Sequence, residues 1–230
     1  MHTVRPDSRD SRSISVAEVA AEVTALLDGV PEGAELDPRT AALVELAVVA
    51  APTTLHLAQT AAALRRALDA GVTAEQLQET LVLISGVGMH TLIGTASILA
   101  DELRVRGDLA LDLPLEGEAA EFARCLLDSG GREARVAQVS PDFWPNLLRL
   151  SPLSAVRAVA EYRAVPWAST TLTALQRELV GIAVDAMPSH RFLPTLLMHV
   201  RQATAQGAGR RAVRQVLDIA AAAPDHPGVR

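Results

Sequence analysis

Apolar residues recur along this chain at three- and four-residue spacing, broken by short polar stretches. That pattern predicts helices almost throughout. Ser15 to Glu18 has the form of a capping box, in which a hydroxyl and a carboxylate three residues apart satisfy the exposed amides of a first turn. It opens a helix reaching about Asp28. Asp37 and Pro38 are an N-cap and a first-turn proline, starting a helix to about Ala51. A third helix is expected from about Leu55 to Ala70, stopping at Gly71. Thr73 to Gln76 is another capping box, opening a helix that ends near Ser85, and the next covers roughly His90 to Val105. After a linker around Leu111 to Gly117, helices are expected over 118–129, 132–138, 141–150 and 152–163. Thr173 to Gln176 caps a helix to about Ala186, and the last two fall near 191–206 and 210–222. The expectation is an all-α protein.

Composition agrees with it. Apolar residues make up 49% of the 230 and aromatic residues 3%, so Ala, Leu and Val do the filling, as helices prefer. Leu81 to Ala100 is uncharged and, at roughly twenty residues, long enough to span a bilayer. It contains Gly86, Gly88, His90 and Gly94 with four hydroxyl residues, and two helices meeting at a glycine-rich turn account for it better. Residues 1–13 are polar and charged, which predicts a disordered arm and no signal peptide.

The sequence also repeats. Ala67-Leu-Asp-Ala-Gly71-Val-Thr, then Leu77 and Leu81, resembles Ala203-Thr-Ala-Gln-Gly207-Ala-Gly, then Val213 and Leu217. Upstream, Val44-Glu-Leu-Ala47 resembles Arg177-Glu-Leu-Val180, which aligns Glu45 with Glu178 and implies three extra residues in the second copy. Two helical units are therefore expected, a degenerate first copy over 14–110 and a second over 111–230.

The charge pattern excludes several chemistries. A net charge of −6 argues against broad contact with nucleic acid or an anionic membrane. All 21 basic residues are arginine, so no lysine can form a Schiff base, anchor pyridoxal phosphate or serve a nucleotide-binding loop. One cysteine, Cys125, allows neither a disulfide within the chain nor a Cys-x-x-Cys redox pair, and it reads as core filler. A cytoplasmic protein is the simplest reading.

Few charged groups fall inside apolar stretches. Glu45 is the one charged side chain between Thr40 and Leu55; burial there would raise its pKa toward the range of an acid or base at neutral pH. It could instead pair with Arg39 or Arg65. Glu178 repeats the setting, and Asp185, seven residues on, lies on the same helical side beside Leu175, Leu179, Ile182 and Ala186. The structural alternative is a carboxylate held by Arg177 or Arg191. His190 precedes the next helix, and His199 lies within it on a face shared with Thr195, Leu196 and Gln202. A glutamate and such a histidine could share a proton and titrate as a pair near neutral pH. His90 is either a site residue or simply part of a glycine-rich turn. No metal site is expected, since nothing like His-x-x-x-His occurs on one helix. Arg65-Arg66 and Arg210-Arg211 read as solvated faces; Phe143, Trp144, Tyr162, Trp167 and Phe192 read as core or interface.

These residues carry a resemblance. Leu175-Gln-Arg-Glu-Leu-Val-Gly-Ile-Ala-Val-Asp-Ala, then Ser189-His-Arg-Phe-Leu-Pro, Met198-His-Val-Arg-Gln-Ala and Gly207, resemble the carboxymuconolactone decarboxylase family, a branch of the AhpD-like superfamily. The first copy resembles it through Val44-Glu-Leu-Ala, Leu55-His-Leu, Ala67-Leu-Asp-Ala-Gly-Val-Thr and Gln78-Glu-Thr-Leu. The resemblance implies an all-helical fold of small repeats that assemble as oligomers, here a dimer or trimer of tandem units. It implies either cofactor-free decarboxylation of a lactone acid or thiol-dependent peroxide reduction. The peroxidase branch carries Cys-x-x-Cys-x-x-x-His; with His199 as that histidine, Phe192 and Thr195 stand at the cysteine positions. In the first copy His56 and Gln59 stand there and Ala63 replaces the histidine. Peroxide chemistry therefore has no nucleophile.

The expectation is a cofactor-free lyase or isomerase, working by proton transfer on a small acidic or lactone-like metabolite. Glu178 and His199 would shuttle the proton, His190 would orient or polarise the substrate, and Asp185 would set the tautomer of the histidine. Asp185, Glu45, His56 and His90 are candidate substrate-binding residues. The rival is a non-catalytic binding or assembly protein whose buried glutamate and histidine are structural.

Overall fold

The computed structural model describes residues 13–107, 112–128, 132–164 and 171–228. Among them every regular element is a helix. They are α1 (Val16–Leu26), α2 (Pro38–Ala50), α3 (Leu57–Asp69), α4 (Ala74–Ser85), α5 (Met89–Val105), α6 (Gly117–Asp128) and α7 (Arg132–Val139). Then come α8 (Phe143–Leu150), α9 (Pro152–Ala164), α10 (Ala174–Ala186), α11 (Leu193–Ala205) and α12 (Arg210–Ala221). The punctuation is as expected: capping boxes at Ser15, Thr73 and Thr173, and Asp37 accepting from the amides of Arg39 and Thr40. The expected arm falls outside the described residues except for Ser13.

The stretch from Ala74 to Val105 is long and apolar enough, by length and composition alone, to cross a membrane. It is made of α4, a 3-10 turn over Gly86–Gly88, and α5, and 33% of its most apolar window is buried. The expected glycine-rich turn is present.

The described residues form two compact units whose boundaries differ from those of the sequence copies. One comprises Ile14–Gly88 with the described part of Val165–Arg230; the other is built on Met89–Ala164. In the smaller unit α5, α6, α7 and α9 gather around α8. Phe143 and Trp144 are fully buried there, with ring centroids 4.5 Å apart. The side chain of Tyr162, on α9, and the whole of Trp167 lie outside what is described. Cys125, on α6, is exposed, so the core-filler expectation is corrected: the cysteine takes the solvent side of an amphipathic helix whose Ala123 and Leu126 face inward.

In the larger unit α2 and α10 pack against each other at the centre, with α4 and α11 beside α10 and α3 and α12 beside α2. Both central helices are apolar nearly all round, the pattern of a helix covered on every side. Leu43, Leu46, Ala47, Leu179, Ile182, Ala183, Leu196, Val200 and Val213 are wholly or almost wholly buried between them.

The helices of this unit fall into two matching triplets. Pro38, Leu57 and Ala74 open helices of 13, 13 and 12 residues; Ala174, Leu193 and Arg210 open helices of the same lengths, each 136 residues further on. Residues 136 apart also touch. Gln176 donates to Thr40 Oγ1 at 3.2 Å, and Ser189 donates to Thr53 Oγ1 at 3.1 Å. Equivalent positions meeting one another is the signature of a two-fold relation.

The matching register corrects one expectation. With a uniform offset of 136, the counterpart of Glu178 is Ala42, and Glu45 corresponds to Gly181. No three-residue insertion separates the copies. The shared Glu-Leu pair that suggested one is out of phase with the helices.

Candidate functional site

Glu178, Gly181 and Asp185 follow at three- and four-residue steps on α10 and so share one face, the face that receives α11. His199 projects from α11 onto it. Glu178 Oε2 lies 2.6 Å from His199 Nδ1, a charge-assisted distance. On the opposite edge of the ring, Nε2 is 3.9 Å from Asp185 Oδ2. The imidazole is thus flanked by two carboxylates, and its face rests on Gly181. A β-carbon at Gly181 would stand 2.8 Å from Cγ, Cδ2 and Cε1 of the ring.

Asp185 extends the network. Its Oδ2 accepts from the hydroxyl of Thr195 at 2.6 Å, and its Oδ1 lies 3.7 Å from His190 Nε2. Glu178 is 5% exposed, His199 3%, Asp185 1% and Thr195 3%; the His190 side chain is 13% exposed and marks the outer end. Burial holds the His190 imidazole below its ordinary pKa, because the charged ring loses hydration there. Phe192 stacks on it with centroids 5.9 Å apart.

This order of groups can hold and relay a proton. A carboxylate only accepts, so while Glu178 is ionised the Nδ1 of His199 carries the hydrogen between them. The tautomer is therefore set by Glu178, and the role expected of Asp185 is corrected: its short hydrogen bond goes to Thr195, and it stands between the two histidines.

Glu45 and His56, in the same unit, are placed apart from this cluster. Glu45 is half-exposed and pairs with Arg66 at 3.1 Å, neither with Arg39 nor Arg65. His56 is the N-cap of α3, its Nδ1 accepting from the amide of Gln59 at 3.3 Å. His90 is half-buried near the start of α5, in the smaller unit. Arg65 and Arg211 are exposed and Arg210 partly so; Arg210 and Arg211 border Glu32 at 3.3 and 3.7 Å. Arg177 donates to the carbonyl of Leu172 and lies 3.9 Å from Glu79, a buried pair the sequence did not suggest.

Two residues of the site went unassigned in the sequence. Thr195 was visible only as an inward-facing polar residue. Gly181 carried one signal, a glycine in the middle of an otherwise strong helix, where it costs stability unless something needs the space. Three surface pockets are described in the larger unit; the largest, about 580 Å³, lies along Val30, Pro31, Arg201, Thr204 and Ala208. None of the three has Glu178, Asp185, His190, Thr195 or His199 in its wall.

No family model matches the sequence, and no curated protein matches it significantly. A solved structure does match the fold: a Burkholderia xenovorans protein provisionally named as a gamma-carboxymuconolactone decarboxylase subunit. It has a TM-score of 0.67, 24% identity, and an alignment covering 94% of this chain and 90% of that one. The likeness shows that the two share an all-helical fold over nearly their whole length.

Proposed function

We propose that this protein is a cofactor-independent enzyme of the carboxymuconolactone decarboxylase type, moving protons on a small acidic or lactone-like metabolite. The observation that carries the reading is the buried hydrogen bond between Glu178 and His199, linked through Asp185 to the partly exposed His190. Decarboxylation, double-bond isomerisation and lactone opening each pass through an enolate that a placed donor must protonate or an acceptor must generate. Glu178 and His199 hold that proton, and His190, neutral and next to solvent, orients the substrate. The solved structure of the same fold supports the type of chemistry; the substrate class follows from the resemblance of residues 175–207.

The matched triplets support a tandem duplication in which one copy kept the ionisable groups. The positions equivalent to Glu178, Asp185, His190 and His199 hold Ala42, Val49, Thr54 and Ala63. Phe192 and Thr195 at the cysteine positions of the peroxidase pattern leave thiol peroxide reduction without a nucleophile. A cytoplasmic homo-oligomer without cofactor remains part of the reading.

One observation favours a second reading. Glu178, Asp185 and His199 are almost sealed, so the same pair would serve a non-catalytic binding or assembly protein by fixing α10 against α11. Solvent exchange separates the two. A panel of lactone acids and unsaturated dicarboxylic acids is incubated with the protein in D₂O and followed by NMR. The enzymatic reading expects deuterium at an activated carbon, or loss of CO₂, and little of either with His199→Ala of unchanged helicity. A wild type that exchanges nothing across the panel points to the scaffold.

A further inference from the structure

We infer that Gly181 is the positioning residue that admits His199 to its place between Glu178 and Asp185. The functional consequence rests on the proton-transfer reading above; the positioning itself does not.

The argument starts from α10. Glycine inside a helix is unfavourable relative to alanine, because its backbone loses more freedom on ordering. Gly181 is the middle of a 13-residue helix with a capping box at its start, and nothing about its backbone calls for glycine: its φ is not in the left-handed region. What calls for it is the neighbour. Three ring atoms of His199 at 2.8 Å from a would-be β-carbon mean that the imidazole lies flat on the helix backbone. Carbon atoms need well over 3 Å, so any side chain at 181 lifts the ring.

The ring cannot move away without cost, because it is held at both edges. Glu178, one turn earlier, takes Nδ1 at 2.6 Å, and Asp185, one turn later, faces Nε2 at 3.9 Å. Glycine therefore forms the floor of a saddle whose two walls are carboxylates. The matching triplet shows the converse. At the equivalent positions Glu45 replaces the glycine and Ala63, fully buried, replaces the histidine. Glu45, with no ring above it, turns to Arg66 at 3.1 Å. Glycine with histidine, or a long side chain with alanine, are the two combinations this crossing contains.

The test is a pair of substitutions read in two ways. A 2.6 Å bond between an imidazole and a carboxylate deshields its proton strongly, so wild type should give a far-downfield ¹H resonance that His199→Ala abolishes. Gly181→Ala should lose that resonance as well and melt at a lower temperature than wild type. In a His199→Ala background the same Gly181→Ala change should raise the melting temperature, since the ring is gone and alanine is the better helix former. Gly181→Ala that keeps the resonance, or that lowers the melting temperature equally in both backgrounds, overturns the inference. The sign reversal in the double variant holds even if Gly181→Ala alone folds poorly. Loss of the resonance in a protein that exchanges no carbon-bound hydrogen would uphold the positioning role and sink only the enzymatic reading.

Discussion

Leu55 and Arg191, 136 positions apart, both adopt positive φ, at 30° and 46°, just before the N-caps of α3 and α11. The turns around them close alike. His56 donates its amide to the carbonyl of Val49, and Phe192 donates to that of Asp185, both at 2.9 Å. These turns fix the angle at which α3 leaves α2 and α11 leaves α10, and so aim His199 at Glu178.

A left-handed conformation strains residues with a β-carbon by about 1–2 kcal/mol, while glycine loses more entropy on folding. Arg191→Gly should therefore change stability by less than about 1 kcal/mol, the two effects offsetting each other. Arg191→Val should lower it by more than that, since branching worsens the strain. Denaturant midpoints for both variants check this.

Glu178→Ala should cost about 3–5 kcal/mol, because it removes one partner of a buried pair and takes the carboxylate away from Nδ1 of His199. Glu178→Gln keeps an acceptor oxygen of the same length and should cost clearly less. Equal losses by urea unfolding would mean that the hydrogen bond is not what matters at this position.

Stability should fall as pH drops below the ordinary histidine range. His190 has its pKa lowered in the folded chain by burial. Between that lowered value and about 6.5, the unfolded chain binds the proton and the folded chain resists it. The contribution of His190 is thus complete above about pH 6.5 and is lost as pH falls toward the folded value. His190→Gln should flatten this part of the profile, measured as unfolding free energy at a series of pH values.

Cys125 is exposed on α6, so the folded protein should react with one equivalent of a thiol reagent without unfolding. A cysteine that reacts only in denaturant would contradict the placement of α6.

Where local physics decides, the helices were legible. Ser15, Asp37, Thr73 and Thr173 announce their caps through residue types that satisfy exposed amides, and the apolar spacing announces the helices that follow. Glu178, Asp185, His190 and His199 were legible as candidates because ionisable groups in apolar helices are few. The assembly was not. Nothing local says that α2 packs on α10, or that the compact unit takes helices from both ends of the chain. The pairing of Glu45 with Glu178 fails because the shared Glu-Leu is three residues out of phase with the caps at Asp37 and Thr173, which are themselves 136 apart. For Cys125 residue type points inward, but the amphipathic phase of α6, with Ala123 and Leu126 buried, turns it to solvent. Gly181 could have been noticed as an unexplained glycine, yet its meaning needed the ring above it.

The most direct measurement is the pH–rate profile of the exchange or decarboxylation reaction in wild type and Glu178→Gln. A shared acid–base couple predicts a bell in wild type, with the limb due to the couple removed by Glu178→Gln and the rate reduced at least about a hundredfold. An unchanged profile, or undiminished turnover in Glu178→Gln, would contradict the assignment of the Glu178–His199 pair as the group that moves the proton.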